Sequence, residues 1–169
     1  MRIGLLADTH DRLPAIAALV AEMAARRVEL LLHAGDFCSP FAIAPLHELR
    51  VPIVGVFGRN DGDRDALTAA AATGLETELM EAPHSIEVDG HRLLLLHDLA
   101  DARQQSLEEH EYVVHGCLHR PEMKHRGDTT IICPGEGCGW LHGSPGAAVL
   151  DLETKHVEFI KLGGPEWKT

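Results

Sequence analysis

The chain has 169 residues, enough for one domain (1–169) with a sizeable core, and aliphatic side chains must supply that core because aromatics are only 4%. A formal net charge of −11 and the lack of any basic run argue against a protein that grips duplex nucleic acid through clustered Lys and Arg. No apolar run approaches the length of a membrane span, and Met1-Arg2-Ile3 leads straight into a strand with no signal peptide, so a cytoplasmic chain is expected.

Ile3 to Ala7 reads as a short buried strand that runs into Asp8-Thr9-His10-Asp11. Leu13 to Arg27 follows as an amphipathic helix, with Leu13, Ile16, Ala17, Val20, Met23 and Ala24 on the buried face and Pro14 in the first turn. Val28 to His33 is a second buried strand, ending in His33-Ala34-Gly35-Asp36. Ser39-Pro40 reads as cap and first turn of a short helix to about Leu49. Val51 to Phe57 is a third strand, closed by Gly58-Arg59-Asn60-Asp61-Gly62, and Asp63 to Thr73 is an alanine-rich helix. This βαβαβα order implies parallel strands with right-handed crossovers.

The pattern then changes to hairpins. Ser85–Val88 and Arg92–Leu96 flank Asp89-Gly90, a strong turn signal, and the second arm ends at His97-Asp98. A helix from about Ala102 to Glu109 precedes a strand, Tyr112 to His115, that ends in Gly116-Cys117-Leu118-His119. Glu122–His125 pairs with Thr129–Cys133, and Ala147–Leu152 with His156–Leu162. Pro134 to Gly139 is a glycine-rich loop, read as a tight turn rather than as a phosphate cradle of backbone N–H groups, and the tail 163–169 is expected to fray. A parallel half followed by a hairpin half suggests an α/β fold of two sheets packed face to face, with helices on the outer faces.

Strand ends are where α/β folds place their chemistry. Asp8 and His10 lie two apart, so both side chains can converge on one ion, and their O and N donors suit Mn, Fe, Zn or Ni. Alone, the pair reads more readily as a loop Asp capping the next helix beside a surface His. The odds change because Asp36, Arg59-Asn60-Asp61, His97, and Cys117 with His119 close four later strand ends. His33 and His115 read as core or supporting histidines, and His47, His84, His91 and His156 as solvated ones. No C-x-x-C occurs among Cys38, Cys117, Cys133 and Cys138, so free thiols are expected.

In order and spacing, Asp8-Thr9-His10, Gly35-Asp36, Gly58-Arg59-Asn60-Asp61, His97 and Gly116-Cys117-Leu118-His119 resemble the calcineurin-like metallophosphoesterase superfamily, most closely its small prokaryotic phosphodiesterase branch. The resemblance spans nearly the whole chain and includes the Pro134-Gly135-Glu136 turn. It implies a four-layer α-β-β-α sandwich of two mixed sheets, a divalent-metal cofactor and a small phosphoester substrate, and it allows a homo-oligomer. It also implies roles. One metal site would take Asp8, His10, Asp36 and His119, with Asp36 bridging to a second metal about 3.5–4 Å away. The chain departs from the pattern at that second site: Arg59 stands where the family has Asn, Cys117 where it has the first His of G-H-x-H, and Cys133 where Asn commonly precedes Pro-Gly. Of the expected second-site ligands only Asp36 and His97 remain.

Arg cannot ligate a metal. Arg59 therefore either swings away or takes over the second cation's work, holding a phosphate oxygen through a bidentate bond. Cys117 is either a thiolate ligand, favouring Zn or Fe over Mn, or an inert thiol. Asn60 occupies the position where related enzymes carry an acid His, and an amide cannot donate a proton in that way; His142 is a substitute candidate. Asp61 caps the next helix or hydrogen-bonds a ligand. The expected function is metal-dependent phosphodiester hydrolysis. The alternative is a weakly active or inactive scaffold on the same fold, as in a retromer subunit of this superfamily.

Overall fold

A computed structural model of the chain describes residues 1–167. Strands β1 (Arg2–Leu6), β2 (Leu30–His33), β3 (Ile53–Val56) and β4 (Thr77–Met80) are joined by helices α1 (Leu13–Ala25), α2 (Ile43–His47) and α3 (Arg64–Ala71). Then follow β5 (His84–Val88), β6 (His91–Leu96), α4 (Gln104–Glu108), β7 (Tyr112–His115), β8 (Pro121–Arg126), β9 (Thr129–Pro134), β10 (Gly146–Asp151) and β11 (His156–Lys161). They form a six-stranded sheet, β11-β10-β1-β2-β3-β4, and a five-stranded sheet, β5-β6-β7-β9-β8.

Both sheets are mixed. β1 to β4 run parallel, and β10 joins β1 antiparallel, so the last hairpin returns to the first sheet. In the second sheet β6, β7 and β9 are parallel, which the hairpin-rich sequence does not predict. Alternation along β1 sets the layers. Ile3, Leu5 and Ala7 join Leu32, Val56, Leu93, Leu95, Val114 and Ile132 between the sheets. Leu6 packs outward with Ile16, Leu19, Met23, Leu31 and Phe37 under the helices. On the far side Leu94, Leu96, Val113 and Ile131 meet Leu107 of the short α4. The result is the four-layer α-β-β-α order. Among the described residues no helix is long and apolar enough to cross a membrane.

Several local expectations are corrected. The buried face of α1 is Ala15, Ile16, Leu19, Val20 and Met23, whereas Leu13, Ala17 and Ala24 are exposed. The Ser39 side chain caps nothing; its hydroxyl donates to Asp11 Oδ1 (2.7 Å), and a 3-10 turn at Pro40–Ala42 precedes α2. Asp63, not Asp61, caps α3, accepting from the Ala66 N–H. The edge strand β4 was not foreseen, because Thr77-Glu78-Leu79-Met80 is only half-buried and carries little apolar alternation. His47 is not solvated: its Nε2 is buried without a hydrogen-bond partner, and burial pushes its pKa down. In the tail, Pro165–Trp167 forms a 3-10 turn, and residues 168–169 lie outside the described part.

Leu95 lies fully buried at the centre of the inter-sheet layer. Leu95→Ala is expected to cost about 2–5 kcal/mol. Denaturant unfolding should show a lower midpoint with little change in slope.

Candidate metal centre

The functional side chains sit at the carboxyl ends of strands from both sheets. Asp8 and His10 follow β1, Asp36 follows β2, and Arg59 to Asp61 follow β3. His97 follows β6, and Cys117 and His119 follow β7. Backbone bonds lock the first two loops together: Asp8 N–H donates to the Gly35 carbonyl, His10 N–H to that of Asp36, and Asp11 N–H to that of Phe37. Within the second sheet the Gly116 N–H donates to the His97 carbonyl, and that sheet meets the first where His97 Nδ1 donates to the Ala34 carbonyl and the Cys117 N–H to Asp8 Oδ2.

These loops are wound tightly. Asp8 (φ 52°), His10 (40°), Asp36 (62°), Cys117 (66°) and His119 (54°) all adopt left-handed backbone conformations. Such conformations cost non-glycine residues roughly 1 kcal/mol or more each and persist only where surrounding contacts fix them. Asp61 supplies one fixing contact. Its carboxylate accepts the N–H groups of Asp36 (3.1 Å), Cys38 (2.8 Å) and Gly58 (2.6 Å), which ties the β2 and β3 loops together. Gly58 is required there, because a Cβ would lie 2.3 Å from Asp36 Oδ1.

Asp8 and Asp36 are both buried and share their neighbours. His119 Nε2 lies 3.6 Å from Asp8 Oδ1, and His10 Nε2 lies 3.5 Å from Asp36 Oδ2 and 4.0 Å from Asp8 Oδ1. The His10 and His119 rings stack with centroids 5.3 Å apart. Asp8, Asp36 and His97 each present a donor atom within 4.8 Å of the others. The four residues expected for the first site, together with His97, are therefore gathered at one place.

The chemistry of these donors fits a divalent cation. Burial pushes the Asp8 carboxyl up to about 6, against the pull of His119 and His97. Burial also acts on Asp36, but hydrogen bonds from His97 and from the Asn60 backbone and side chain outweigh it and hold that carboxyl well below the usual range. His97 Nδ1 donates to the Ala34 carbonyl at 2.8 Å, so its Nε2 faces Asp36 Oδ2 at 3.4 Å. A bare lone pair there would oppose a carboxylate. Either a proton or a metal must stand between them, and without metal the Asp36 and Ala34 contacts, working against burial, push His97 up to about 9. His10 Nε2 is buried with no hydrogen-bond partner, which is costly for a polar atom unless a ligand meets it.

The second-site positions look different. The Arg59 side chain turns outward and its guanidinium pairs with Asp98. The Cys117 thiol also faces Asp98 Oδ2, at 3.8 Å, and burial followed by the Asp98 charge pushes its pKa up. Its backbone N–H is the group that serves the site, donating to Asp8 Oδ2 at 3.1 Å. Asn60 reaches further in than its register suggests: its N–H donates to Asp36 Oδ1 (2.8 Å) and its Nδ2 to Asp36 Oδ2 (2.7 Å).

Two participants were not singled out in the sequence. Glu136, buried in the glycine-rich loop, lies 3.2 Å from His119 Nδ1 and accepts the N–H groups of Leu141 and His142. A lone carboxylate among glycines was the available signal. Cys138 brings its Sγ within 4.8 Å of nitrogens on His10 and His119. The loop is not an anion cradle, since its Gly137 and Cys138 N–H groups donate to the Ala7 and Asp8 carbonyls. His33 is a supporting residue as expected: it is buried, stacks on Phe37 and bonds Thr9 Oγ1 at 3.1 Å, and burial pushes its pKa down to about 3. His142 is exposed beside the loop, with its backbone N–H on Glu136 Oε1.

Comparison with known proteins agrees with this geometry. Residues 1–155 match the family described as the Calcineurin-like phosphoesterase superfamily domain. A phosphodiesterase of Methanocaldococcus jannaschii is 32% identical, over 96% of this chain and 99% of its own. The solved structure of an archaeal phosphodiesterase, also 32% identical, superposes with a TM-score of 0.84 over 96% of this chain and 100% of that one. Vacuolar Protein Sorting 29 of Cryptosporidium parvum shares the fold at 14% identity, with a TM-score of 0.66 over 96% of this chain and 98% of that one. With the family matched over most of its length and a full-length relative above 30% identity, this chain belongs to the calcineurin-like phosphoesterase superfamily.

Proposed function

We propose that the protein is a metal-dependent phosphodiesterase with one whole metal site, held by Asp8, His10, Asp36 and His119. The carrying observation is the convergence of these donors around the partnerless His10 Nε2. The similarity to phosphodiesterases along the full chain supports the same reading. A divalent ion held there would lower the pKa of a bound water and polarise a phosphoryl oxygen.

The chain's own groups do the remaining work. Cys117 N–H and the Asn60 amide hold the two carboxylates, so their oxygens are already aimed when an ion arrives. Glu136 fixes the His119 ring through Nδ1, leaving Nε2 toward Asp8. Arg59 is the substrate clamp in this reading. Its side chain is 62% exposed and held only at the rim by Asp98, so a phosphate oxygen can replace that carboxylate as its partner. Asn60 orients Asp36 and leaves the leaving group unprotonated, which favours phosphodiesters with good leaving groups. A single acidic chain without basic clusters suits a small substrate rather than duplex DNA.

A scaffold role is the competing reading, and the Arg59 and Cys117 departures favour it. Metal content and hydrolysis of bis(p-nitrophenyl) phosphate separate the two. After dialysis the protein should retain about one equivalent of divalent metal per chain and hydrolyse the diester. Absence of hydrolysis with every divalent metal tried would give the scaffold role precedence.

Asp36→Asn should lower metal affinity and reduce turnover by about 100-fold or more, because Asp36 carries the charge that meets the ion. A variant that keeps both would move the site elsewhere. Arg59→Asn combined with Cys117→His should raise bound metal toward about two equivalents and raise turnover, by restoring an oxygen and a nitrogen ligand. If metal content stays the same and activity falls, Arg59 is acting as a clamp and the wild type works with one metal.

A further inference from the structure

We infer that Cys138 is a ligand of the first metal, which makes this centre a thiolate site suited to Zn, Fe(II) or Co(II) rather than Mn. The inference rests on the metal-centre reading of Asp8, His10, Asp36 and His119, and adds a sulfur donor to that set. Three donors, one nitrogen each from His10 and His119 and the Cys138 Sγ, lie within 4.8 Å of one another. Zn–S and Zn–N bonds of about 2.3 and 2.0 Å place two ligands at most roughly 4.3 Å apart, so a small inward shift of the more widely spaced donors brings all three onto one ion. The nearby His10 Nε2 is buried and has no hydrogen-bond partner of its own.

The loop is built to hold this cysteine still. Cys138 N–H donates to the Asp8 carbonyl at 3.0 Å, and its own carbonyl accepts from Arg12 Nη1 at 2.7 Å. Arg12 is in turn packed against Trp140, with the guanidinium carbon 4.2 Å from the ring centroid. The preceding Gly137 lets the loop come this close, because a Cβ there would lie 2.9 Å from the Ala7 carbonyl oxygen. Both ends of the Cys138 peptide are thus bonded to the loop that carries Asp8 and His10. The thiol is fully buried, with Glu136 Oε2 at 3.7 Å and the Trp140 backbone N–H as its polar neighbours.

The other thiols are placed differently. Cys117 faces Asp98, Cys133 points to the Gly116 carbonyl at 3.9 Å, and Cys38 lies on the outer nitrogen of His10, 3.2 Å from Nδ1. When the ion binds, the Cys138 thiol gives up its proton to solvent and the thiolate sulfur donates the electron pair. Thiolate donors select Zn, Fe(II) and Co(II) over Mn.

Cobalt(II) is the probe. The wild-type protein loaded with Co(II) should show a near-ultraviolet sulfur-to-cobalt charge-transfer band. Cys138→Ser and Cys138→Ala should lose it, while Cys117→Ser and Cys38→Ser should keep it. A band absent from the wild type, retained without Cys138, or lost with Cys117 or Cys38 would overturn the inference. Because Cys138 is buried and its variants could misfold, a second measurement leaves it in place. X-ray absorption on the zinc-loaded Cys38→Ser/Cys117→Ser double variant should contain a sulfur shell at about 2.3 Å. A spectrum fitted by nitrogen and oxygen alone would overturn the assignment. Sulfur ligation without diester hydrolysis would defeat the phosphodiesterase reading and leave this one standing; hydrolysis with no sulfur shell would do the reverse.

Discussion

Two carboxylates of like charge, Asp8 and Asp36, buried beside each other, are the constraint around which this molecule is arranged. Like charges in a low-dielectric site cannot both ionise without help. The help comes from every side: the Cys117 N–H on Asp8, the Asn60 backbone and side-chain amides on Asp36, and three histidines within 4 Å. Even so the two carboxyls are driven apart, Asp8 upward by burial and Asp36 downward by its hydrogen bonds. A divalent cation between them would satisfy both.

The fold follows from the need to bring those groups together. Neither sheet carries the centre alone. The first contributes Asp8, His10 and Asp36 from parallel neighbours β1 and β2, and the second contributes His97 and His119 from β6 and β7. The inter-sheet layer of Leu5, Leu32, Leu95 and Val114 therefore does more than stabilise. It sets the distance between the two halves of the donor cluster. The left-handed turns at these residues are held open by Asp61, by the Ala34 and Gly35 carbonyls and by the close approach that Gly58 permits.

How much of this could be read from residues alone depended on the range of the interaction. Strand ends and the D-x-H, G-D and lone-His signals are local, and the structure gathers Asp8, His10, Asp36, His97 and His119 as expected. The α/β class and the two-sheet packing were legible from the switch between crossover units and hairpins. The phase of α1 was not, because Leu13, Ala17 and Ala24 extend the helical rhythm of Ile16, Val20 and Met23 as well as Ala15 and Leu19 do, and only the position of β1 decides between them. Strand β4 was hidden because edge strands need little apolar patterning. Glu136, Cys138 and the Arg59–Asp98 pair depend on contacts between loops far apart in sequence, where no spacing rule applies.

That last pair bears on how the altered half of the site is to be understood. An arginine placed beside a cation-binding pocket would repel any ion there and would compete with the protonated His97. Asp98, the residue directly after His97, meets the Arg59 guanidinium and is held ionised by the Ala100 N–H and by that guanidinium. The Arg59 charge is thus balanced at the rim instead of being spent against the first site. Loss of ligands alone would leave Asp36 and His97 facing an unfilled gap; here Asn60 closes on Asp36 as the Arg59–Asp98 pair forms next to it. The first site, meanwhile, keeps left-handed Asp8, His10, Asp36 and His119 and a partnerless buried nitrogen. Relaxing those features would make a purely structural protein more stable. Their presence supports the proposed metal centre.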